Sequence, residues 1–125
     1  MKVAIIGSRN ISSSEYERLI NEVPVGCSEV ISGGAAGADQ FAEKFAQENG
    51  LPISVFLPQY EKSGKSAPLE RNIQIVEAAD YVLALWDGTS RGTANAILTC
   101  IKSGTPVKIF ICKEKGEAQQ AEIVY

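Results

Sequence analysis

The chain has 125 residues, of which 45% are hydrophobic and 22% are charged, and its formal net charge is −3. This length predicts one domain with a single hydrophobic core. The acidic balance argues against nonspecific attraction to nucleic acid or to an anionic membrane. Histidine is absent from the sequence, which excludes Ser-His-Asp and Cys-His catalytic arrangements, histidine-ligated metals and a histidine general base.

No apolar run reaches the ~20 residues that a membrane-spanning helix needs. The opening stretch MKVAIIGSRN is typical of a first strand rather than of a signal peptide, so we expect a cytoplasmic location. Three cysteines without C-x-x-C spacing indicate neither a zinc site nor a disulfide framework. We therefore expect no metal, no cofactor, and buried structural thiols at Cys27, Cys100 and Cys112.

Short apolar runs alternate with longer amphipathic runs in the first half of the chain. The apolar runs KVAIIG, SEVIS and PISVFLP predict three buried strands. Residues 12–23 predict a first helix, with a serine N-cap and apolar side chains at helical spacing. A second helix ends at Gly50, and its apolar face comprises Phe41, Ala42, Phe45 and Ala46.

The same alternation continues in the second half. The polar stretch QYEKSGKSAP predicts a loop that either closes over a ligand or is simply mobile, and it contains Tyr60, Lys62 and Lys65. LERNIQIVEAA predicts a third helix, with an inward face made of Leu69, Ile73, Val76 and Ala79. DYVLALW predicts a fourth strand, SRGTANAILTCIKSG a fourth helix and TPVKIFIC a fifth strand.

Strand–helix alternation with continuously apolar strands is typical of a parallel sheet covered by helices on both faces. With right-handed crossovers, we expect a Rossmann-like α/β three-layer sandwich with five parallel strands in the order 3-2-1-4-5. One such domain is predicted over residues 1–112, followed by a tail or edge element over 113–125. Ligands bind such sheets at the carboxyl ends of the strands, where the order reverses. That point lies between strands 1 and 4.

Three glycine-bearing loops are predicted to meet at this edge of the sheet. Unpaired N–H groups and positive partial charge at helix N-termini attract anions, and glycine allows an anion to come close. The alternative is that the glycines only permit tight turns from strand to helix. The candidate ligand-binding residues in the loops GSRN, SGGAAGAD and WDGTSRGT are Gly7, Ser8, Arg9, Gly33, Gly34, Gly37, Asp39, Asp87, Gly88, Ser90, Arg91, Gly92 and Thr93.

Side chains in and beside these loops suggest specific roles, and two of them, Arg9 and Trp86, have an alternative interpretation. Arg91 can neutralise an anionic group, and Asp87 can accept hydrogen bonds from ribose hydroxyls. Arg9 can bind a ligand or form a surface ion pair. Trp86 can stack on a base or belong to the core.

The segment LERN adds polar residues near the start of the third predicted helix. Glu70 and Arg71 are candidates for the site, although a Glu-Arg pair is commonly part of a solvated helix face. Asn72 is less easily explained in that way, because it interrupts a helix without being its cap.

In this order, IIGSR, SGGAAGAD, RN and ADYVLALWDGTSRGT resemble the SLOG superfamily. Within it, the chain is similar to the small stand-alone proteins related to YspA and to the Rossmann domain of DNA-processing protein A. The resemblance covers nearly the whole chain, and it implies binding of a nucleotide or nucleotide-derived ligand by a sensor or accessory protein. The pocket residues it implies are Gly7, Ser8, Arg9, Gly33, Gly34, Gly37, Asp39, Arg71, Asn72 and Gly88 to Thr93.

Two enzyme groups with similar folds supply an alternative, N-glycosidic hydrolysis or transfer on a nucleoside or nucleoside monophosphate. The lonely-guy phosphoribohydrolases carry Gly-Gly-x-Gly-Thr-x-x-Glu, and nucleoside deoxyribosyltransferases carry a similar segment with a catalytic glutamate. The position that matches this glutamate is Ala96, which cannot act as a nucleophile or stabilise an oxocarbenium-like centre. Enzymatic activity therefore stays open, with Glu70, Arg71 and Asp39 as candidate catalytic residues.

The DNA-processing relative adds single-stranded DNA binding as a third option. The acidic balance and the scarcity of basic-aromatic clusters argue against it, although Lys62, Lys65, Arg71 and Arg91 could form a local groove. We expect a small nucleotide-derived ligand and no membrane partner. Because similar proteins often self-associate, a homo-oligomer is a further option.

Overall fold

The computed structural model describes residues 1–34, 37–112 and 121–124. Residues 35 and 36 of the second glycine-bearing loop, and residues 113–120 and 125 of the predicted tail, lie outside this part of the chain. Within the described residues the strands are β1 (Lys2–Gly7), β2 (Glu29–Ser32), β3 (Ile53–Val55), β4 (Tyr81–Trp86), β5 (Val107–Ile111) and β6 (Ala121–Val124).

The first five strands run parallel in the order β3-β2-β1-β4-β5, which confirms the predicted sheet. β1 lies at the centre and pairs on one side with β2 and on the other with β4, whose Val82 is level with Ala4. β6 adds an antiparallel edge strand next to β5. Because β1 and β4 are neighbours but far apart in sequence, the strand order reverses between them.

Helices cover both faces of the sheet. They are α1 (Glu15–Ile20), α2 (Ala38–Glu48), α3 (Tyr60–Ser63), α4 (Ala67–Ala78) and α5 (Arg91–Ser103), with a 3-10 turn (Gly64–Ser66) between α3 and α4. α1 and α2 pack on one face and α4 and α5 on the other. The predicted three-layer sandwich is therefore confirmed.

Alternating side chains of β1 supply the two cores. Val3 and Ile5 pack with Leu19 of α1 and with α2, whose predicted apolar face is turned towards the sheet. Ala4 and Ile6 pack on the opposite face with α4 and α5. Both sets are buried, because successive residues of a strand point to opposite faces and this central strand has helices on both sides.

Several predicted boundaries and one predicted helix face differ from the structure, and the third strand, predicted over PISVFLP, spans only Ile53–Val55. The first helix is shorter than residues 12–23, and the segment predicted as a polar loop contains α3, a 3-10 turn and the start of α4. The inward assignment of Leu69 and Ile73 is wrong, since these side chains are 46% and 47% exposed. α4 buries Val76 as predicted, but the residues buried with it are Asn72 and Ile75, and Asn72 turns inward to bond with α5.

The cysteines largely follow the prediction. Cys100 and Cys112 are buried, and Cys27 is half-buried. None of the helices in the part of the chain that the structure describes combines the length and apolar character needed to cross a membrane.

Candidate functional site

A cleft of about 410 Å³ opens at the carboxyl ends of β1 and β4, where the strand order reverses. Residues from β1, α4 and α5 and from the loops that follow β1, β2 and β4 contribute to its walls. Its lining residues are Ile6, Gly7, Ser8, Arg9, Asn10, Gly33, Asp39, Tyr60, Pro68, Arg71, Asn72, Ile75, Asp87, Ser90, Gly92, Thr93 and Ala96. Most of the residues selected from the sequence therefore meet in one place.

The carboxyl end of β1 packs tightly against β4 and against the loop that follows β4. A side chain on Gly7 would place its Cβ 2.1 Å from the carbonyl oxygen of Leu85, so only glycine fits there without a shift in the backbone. The amide of Ser8 donates to the same carbonyl at 2.9 Å. The buried hydroxyl of Ser8 accepts from the amide of Asp87 at 3.2 Å, which ties the first loop to the third.

The third glycine-bearing loop, WDGTSRGT after β4, is organised by the carboxylate of Asp87. Its Oδ1 accepts from the amides of Thr89 at 2.9 Å and Ser90 at 2.7 Å. Partial burial by itself raises the pKa of Asp87, but the hydrogen bonds from Ser90 and Thr89 outweigh it and leave the pKa below its ordinary value. One carboxylate oxygen thus holds the loop in shape at the entrance to α5.

Trp86 belongs to the protein framework in this structure. Its ring is half-buried against the core formed by β1, β4, α4 and α5, and its Nε1 donates to the carbonyl of Ser90 at 3.0 Å. It does not line the cleft within the described residues, which favours the core interpretation over stacking on a base.

The N-terminus of α5 faces the cleft with hydroxyl groups and bare backbone. The hydroxyl of Thr93 lies 3.4 Å from that of Ser8 and 3.3 Å from that of Ser90. A side chain on Gly92 would meet nothing within 4 Å, so the backbone there is open on that side. The first N–H groups of a helix have no acceptor within the helix, and this terminus therefore offers donors and a positive partial charge.

Arg71 and Asn72 connect α4 to the loop after β2 and to α5. Nη1 of Arg71 donates to the carbonyl of Gly33 at 2.8 Å, and Nε donates to Oδ1 of Asn72 at 3.1 Å. The amide of Asn72 donates in turn to the carbonyl of Gly92 at 3.2 Å and to Oδ1 of Asn95 at 3.0 Å. The buried Asn72 therefore orients the guanidinium of Arg71 and fixes α4 to α5 at the same height.

The glycines of the second loop make room for the protein's own atoms. A Cβ on Gly33 would lie 2.9 Å from Nη1 of Arg71. Gly34 has φ +74°, and a Cβ there would lie 2.5 Å from Cδ2 of Leu57. Gly37 also has φ +74°, and a Cβ there would lie 2.2 Å from the carbonyl oxygen of Arg9. Tight packing accounts for these glycines, and Gly33 is the one of the three that lines the cleft.

The charged groups of the cleft are balanced. Arg9 and Arg71 supply positive charge, and Asp39 and Asp87 supply negative charge. Asp39 is only 5% exposed, and its Oδ2 would lie 3.4 Å from a Cβ built on Gly33. The carboxylate of Asp39 and the guanidinium of Arg71 therefore approach the same point of the wall.

Three candidate residues besides Gly34 and Gly37 lie away from the lining. Gly88 and Arg91 are exposed outside it. Glu70 is exposed beside a smaller depression, where its Oε2 accepts from the hydroxyl of Ser66 at 3.0 Å. Hydrogen bonds from Ser63 and Ser66 lower the pKa of Glu70. As a candidate catalytic acid Glu70 is thus placed outside the cleft.

The sequence did not single out several of the lining residues for the site, although simple signals mark them. Pro68 and Ile75 lie three residues before and four residues after Arg71, and this spacing puts them on one helix face. The sequence marks Ala96 only as the position that matches the glutamate of the related enzymes, and Asn10 only as the last residue of the loop GSRN. Extending each motif by one helical turn or one loop position would have found them.

The described residues hold no group of three or more acidic or cysteine side chains that could bind a metal ion. The lining of the cleft supplies arginine, carboxylate, hydroxyl and backbone groups. These groups favour hydrogen bonding and charge pairing with a ligand.

Comparison with known proteins places the chain beside a phage protein. Over 120 residues it is 35% identical to the Gene 61 protein of Mycobacterium phage D29, and the match spans 87% of this chain and 95% of the phage protein. No family model matches the chain, and no solved structure matches it significantly. The extent of the match shows that the chain belongs to the same family as the Gene 61 protein of Mycobacterium phage D29.

Proposed function

We propose that this protein binds a nucleotide or a nucleotide-derived phosphate ligand in the cleft between β1 and β4 and acts as a sensor or accessory protein. The observation that carries the proposal is the position of Arg71. Its guanidinium is held in the wall of the cleft by the carbonyl of Gly33 and the side chain of Asn72. The resemblance to the SLOG superfamily leads to the same proposal. We therefore also propose that this chain is a member of that superfamily.

The phosphate end of the ligand pairs with Arg71 and with the start of α5. A guanidinium has five N–H donors, and the bonds to Gly33 and Asn72 use two of them. The helix terminus adds backbone N–H groups beside the hydroxyls of Ser90 and Thr93. An arginine that is already held in one orientation loses little conformational entropy when it binds a ligand. Because the planar fork of a guanidinium matches the oxygens of carboxylate and phosphate groups, this arrangement favours a planar or tetrahedral oxyanion.

The remaining walls suit a ribose and a base. Asn10 and Asp39 offer polar groups for sugar hydroxyls, and Tyr60 and Pro68 offer an aromatic ring and an apolar surface for a base. Asp87 keeps its predicted role towards a ribose as part of this proposal, although its Oδ1 already holds the third loop.

The geometry favours binding over N-glycosidic hydrolysis. Ala96, which occupies the position of the glutamate in the related enzymes, lies in the wall of the cleft. Glu70 lies outside the cleft, and Asp87 is engaged by its own loop. A hydrolase would therefore have to use Asp39. Incubation with AMP or deoxynucleosides is expected to release no free base in a chromatographic assay, and release that disappears in Asp39→Asn would instead support the enzyme.

A thermal-shift screen with inorganic phosphate, AMP, ADP, ADP-ribose and NAD tests the proposal. A ligand at about a hundred times its Kd adds ~2.7 kcal/mol to the free energy of unfolding, which corresponds to a rise of roughly ten degrees in Tm for a domain of this size. We expect such a rise with at least one nucleotide. Arg71→Met should abolish most of it.

Lys2→Met is the matched control, because it removes the same charge at the amino end of β1, away from the cleft. The readout is the ligand-induced change in Tm for each variant, so a lower Tm of the free variant does not obscure the result. No shift with any nucleotide, or an equal shift in Arg71→Met and Lys2→Met, would contradict the proposal.

A further inference from the structure

The start of α2 is closed to an anion by carbonyl groups of the protein itself. The amide of Ala38 donates to the carbonyl of Ser8 at 3.3 Å. A side chain on Gly37 would place its Cβ 2.2 Å from the carbonyl oxygen of Arg9 and 2.6 Å from that of Ser8. Carbonyl oxygens carry partial negative charge, so we expect no phosphoryl group at this helix terminus, although such termini often bind one.

The start of α5 is open and lies beside the guanidinium of Arg71. A side chain on Gly92 would meet nothing within 4 Å. Asn72 joins the two groups, because its Oδ1 accepts from Arg71 at 3.1 Å and its amide donates to the carbonyl of Gly92 at 3.2 Å. The guanidinium and the N–H groups of this helix terminus therefore serve one region of the cleft, which suits one phosphoryl group.

Two carboxylates lie close to this region. Nη1 of Arg71 and Oδ2 of Asp39 are both within 3.4 Å of the place where a side chain on Gly33 would put its Cβ. At the entrance to α5, the carboxylate of Asp87 accepts two backbone amides, which favours its charged form. Since one oxygen links two successive phosphoryl groups, a second group would stay within a Debye length, ~8 Å, of Asp39.

The positive charge and the volume of the cleft are both limited. Among the described residues, the cations that line it are Arg9 and Arg71. Arg9 is exposed, so solvent screens its charge. The volume of about 410 Å³ lies near the lower end of the range typical of small-molecule pockets, ~300–1,000 Å³. This size suits one nucleotide better than a dinucleotide.

We propose that the cleft selects a nucleoside monophosphate and that Asp39 sets this selectivity, an inference that rests on the nucleotide binding proposed above. Arg71 and the start of α5 hold the one phosphoryl group. The carboxylate of Asp39 accepts hydrogen bonds from sugar hydroxyls but repels a second phosphoryl group. Nucleoside diphosphates, nucleoside triphosphates and dinucleotides therefore bind more weakly.

Isothermal titration calorimetry in Mg²⁺-free buffer at fixed ionic strength tests the selectivity. The ligands are adenosine, AMP, ADP, ATP and NAD, and the series is repeated with guanosine, cytidine and uridine so that the base is not limiting. We expect the best monophosphate to bind about tenfold or more tightly than its diphosphate, and more tightly than the nucleoside that lacks the phosphoryl group.

The two proposals fail in different ways in this experiment. A diphosphate, a triphosphate or NAD that binds as tightly as the best monophosphate, or more tightly, would overturn the selectivity and leave the proposed nucleotide binding intact. Binding by none of these ligands would overturn both.

Asp39→Asn tests the residue itself. It removes the negative charge with little change in shape, so the preference for the monophosphate over the diphosphate should narrow to about threefold or less. Asp39→Ser is a second neutral variant should Asp39→Asn fail to fold, which circular dichroism checks.

Asp80→Asn is the matched control, because it removes the same charge just before β4, at the opposite edge of the sheet. Oδ2 of Asp80 accepts from the amide of Lys2 at 2.8 Å, and the asparagine carbonyl can accept the same bond. This variant should keep the full preference. An unchanged preference in the neutral Asp39 variants, or an equal narrowing in Asp80→Asn, would overturn the role of Asp39.

Discussion

At the scale of single residues, Gly37 shows how a glycine can be required by the protein itself. Its φ is +74°, and the carbonyl oxygen of Arg9 occupies the place of a side chain. Both facts exclude a Cβ for separate reasons, one through backbone strain and the other through overlap. The contact joins the first loop to the second loop at the start of α2, so that both loops depend on it.

Gly37→Ala is expected to lower the free energy of unfolding by more than ~2 kcal/mol, measured in urea. Gly104→Ala is the matched control, because Gly104 has φ +76° but has nothing within 4 Å of a Cβ. It should cost only about 1 kcal/mol, the ordinary cost of that backbone conformation. Equal losses in the two variants would show that the overlap with Arg9 is relieved at no cost.

Asp87 makes a prediction about acid stability. Hydrogen bonds from Ser90 and Thr89 keep its pKa below the ordinary value of 3.8, despite partial burial. The folded state therefore favours the charged form, and this contribution is present above the ordinary pKa and is lost as the pH falls through the lower folded-state pKa. Asp87→Asn should flatten the decline in unfolding free energy below about pH 4, measured in urea at several pH values. An unchanged decline would contradict this role.

At the scale of elements, α4 is the helix in which periodicity alone failed. Its sequence has apolar residues at two sets of helical spacings, and the set containing Leu69 and Ile73 was assigned to the core. The structure turns Asn72 and Ile75 inward beside Val76, which was assigned to the core correctly, and the buried Asn72 reaches acceptors on α5. An unsatisfied buried amide is costly, so this rotation of the helix depends on the hydrogen bonds from Asn72 to α5.

Ile75→Ala and Ile73→Ala test that rotation. Ile75 is 2% exposed, and its truncation should cost ~2–4 kcal/mol of unfolding free energy. Ile73 is 47% exposed, and its truncation should cost less than ~1 kcal/mol. Urea unfolding measures both values. The reverse order would show that the helix presents its other face to the sheet.

At the scale of the whole molecule, the cysteines report on global unfolding. Burial raises the pKa of Cys100 to about 11 and, together with the nearby negative charge of Glu15, raises the pKa of Cys112 to about 12. Both thiols are thus protonated and shielded at neutral pH, whereas Cys27 is half-buried. Because only the thiolate reacts quickly, reactivity should follow exposure.

With a disulfide reagent at pH 8, we expect Cys27 to react first in the native protein and all three thiols to react after unfolding in urea. Absorbance of the released thiol measures both rates. Cys27→Ser should leave no thiol that reacts before unfolding. Rapid native reaction in that variant would indicate that Cys100 or Cys112 opens to solvent without global unfolding.

The position of the cleft could be predicted because it follows from strand order. Three loops after parallel strands must meet at one edge, and the reversal between β1 and β4 leaves space there. The hydrogen bonds made by individual residues around the cleft could not be predicted in the same way. Arg71 bonds to Gly33, 38 residues away in the chain, and no local pattern specifies that pair.

The sequence by itself determined the alternation of buried strands and amphipathic helices, the order of the five parallel strands and the edge at which the cleft lies. These properties depend on local hydrophobic periodicity and on chain handedness, which a single sequence displays. Only the tertiary structure decided which face α4 presents to the sheet and that Glu70 lies outside the cleft. It also decided that neighbouring atoms fill the space that a side chain would need at Gly34 and Gly37. Those outcomes depend on contacts between distant segments, and such contacts exist only once the helices have packed against the sheet.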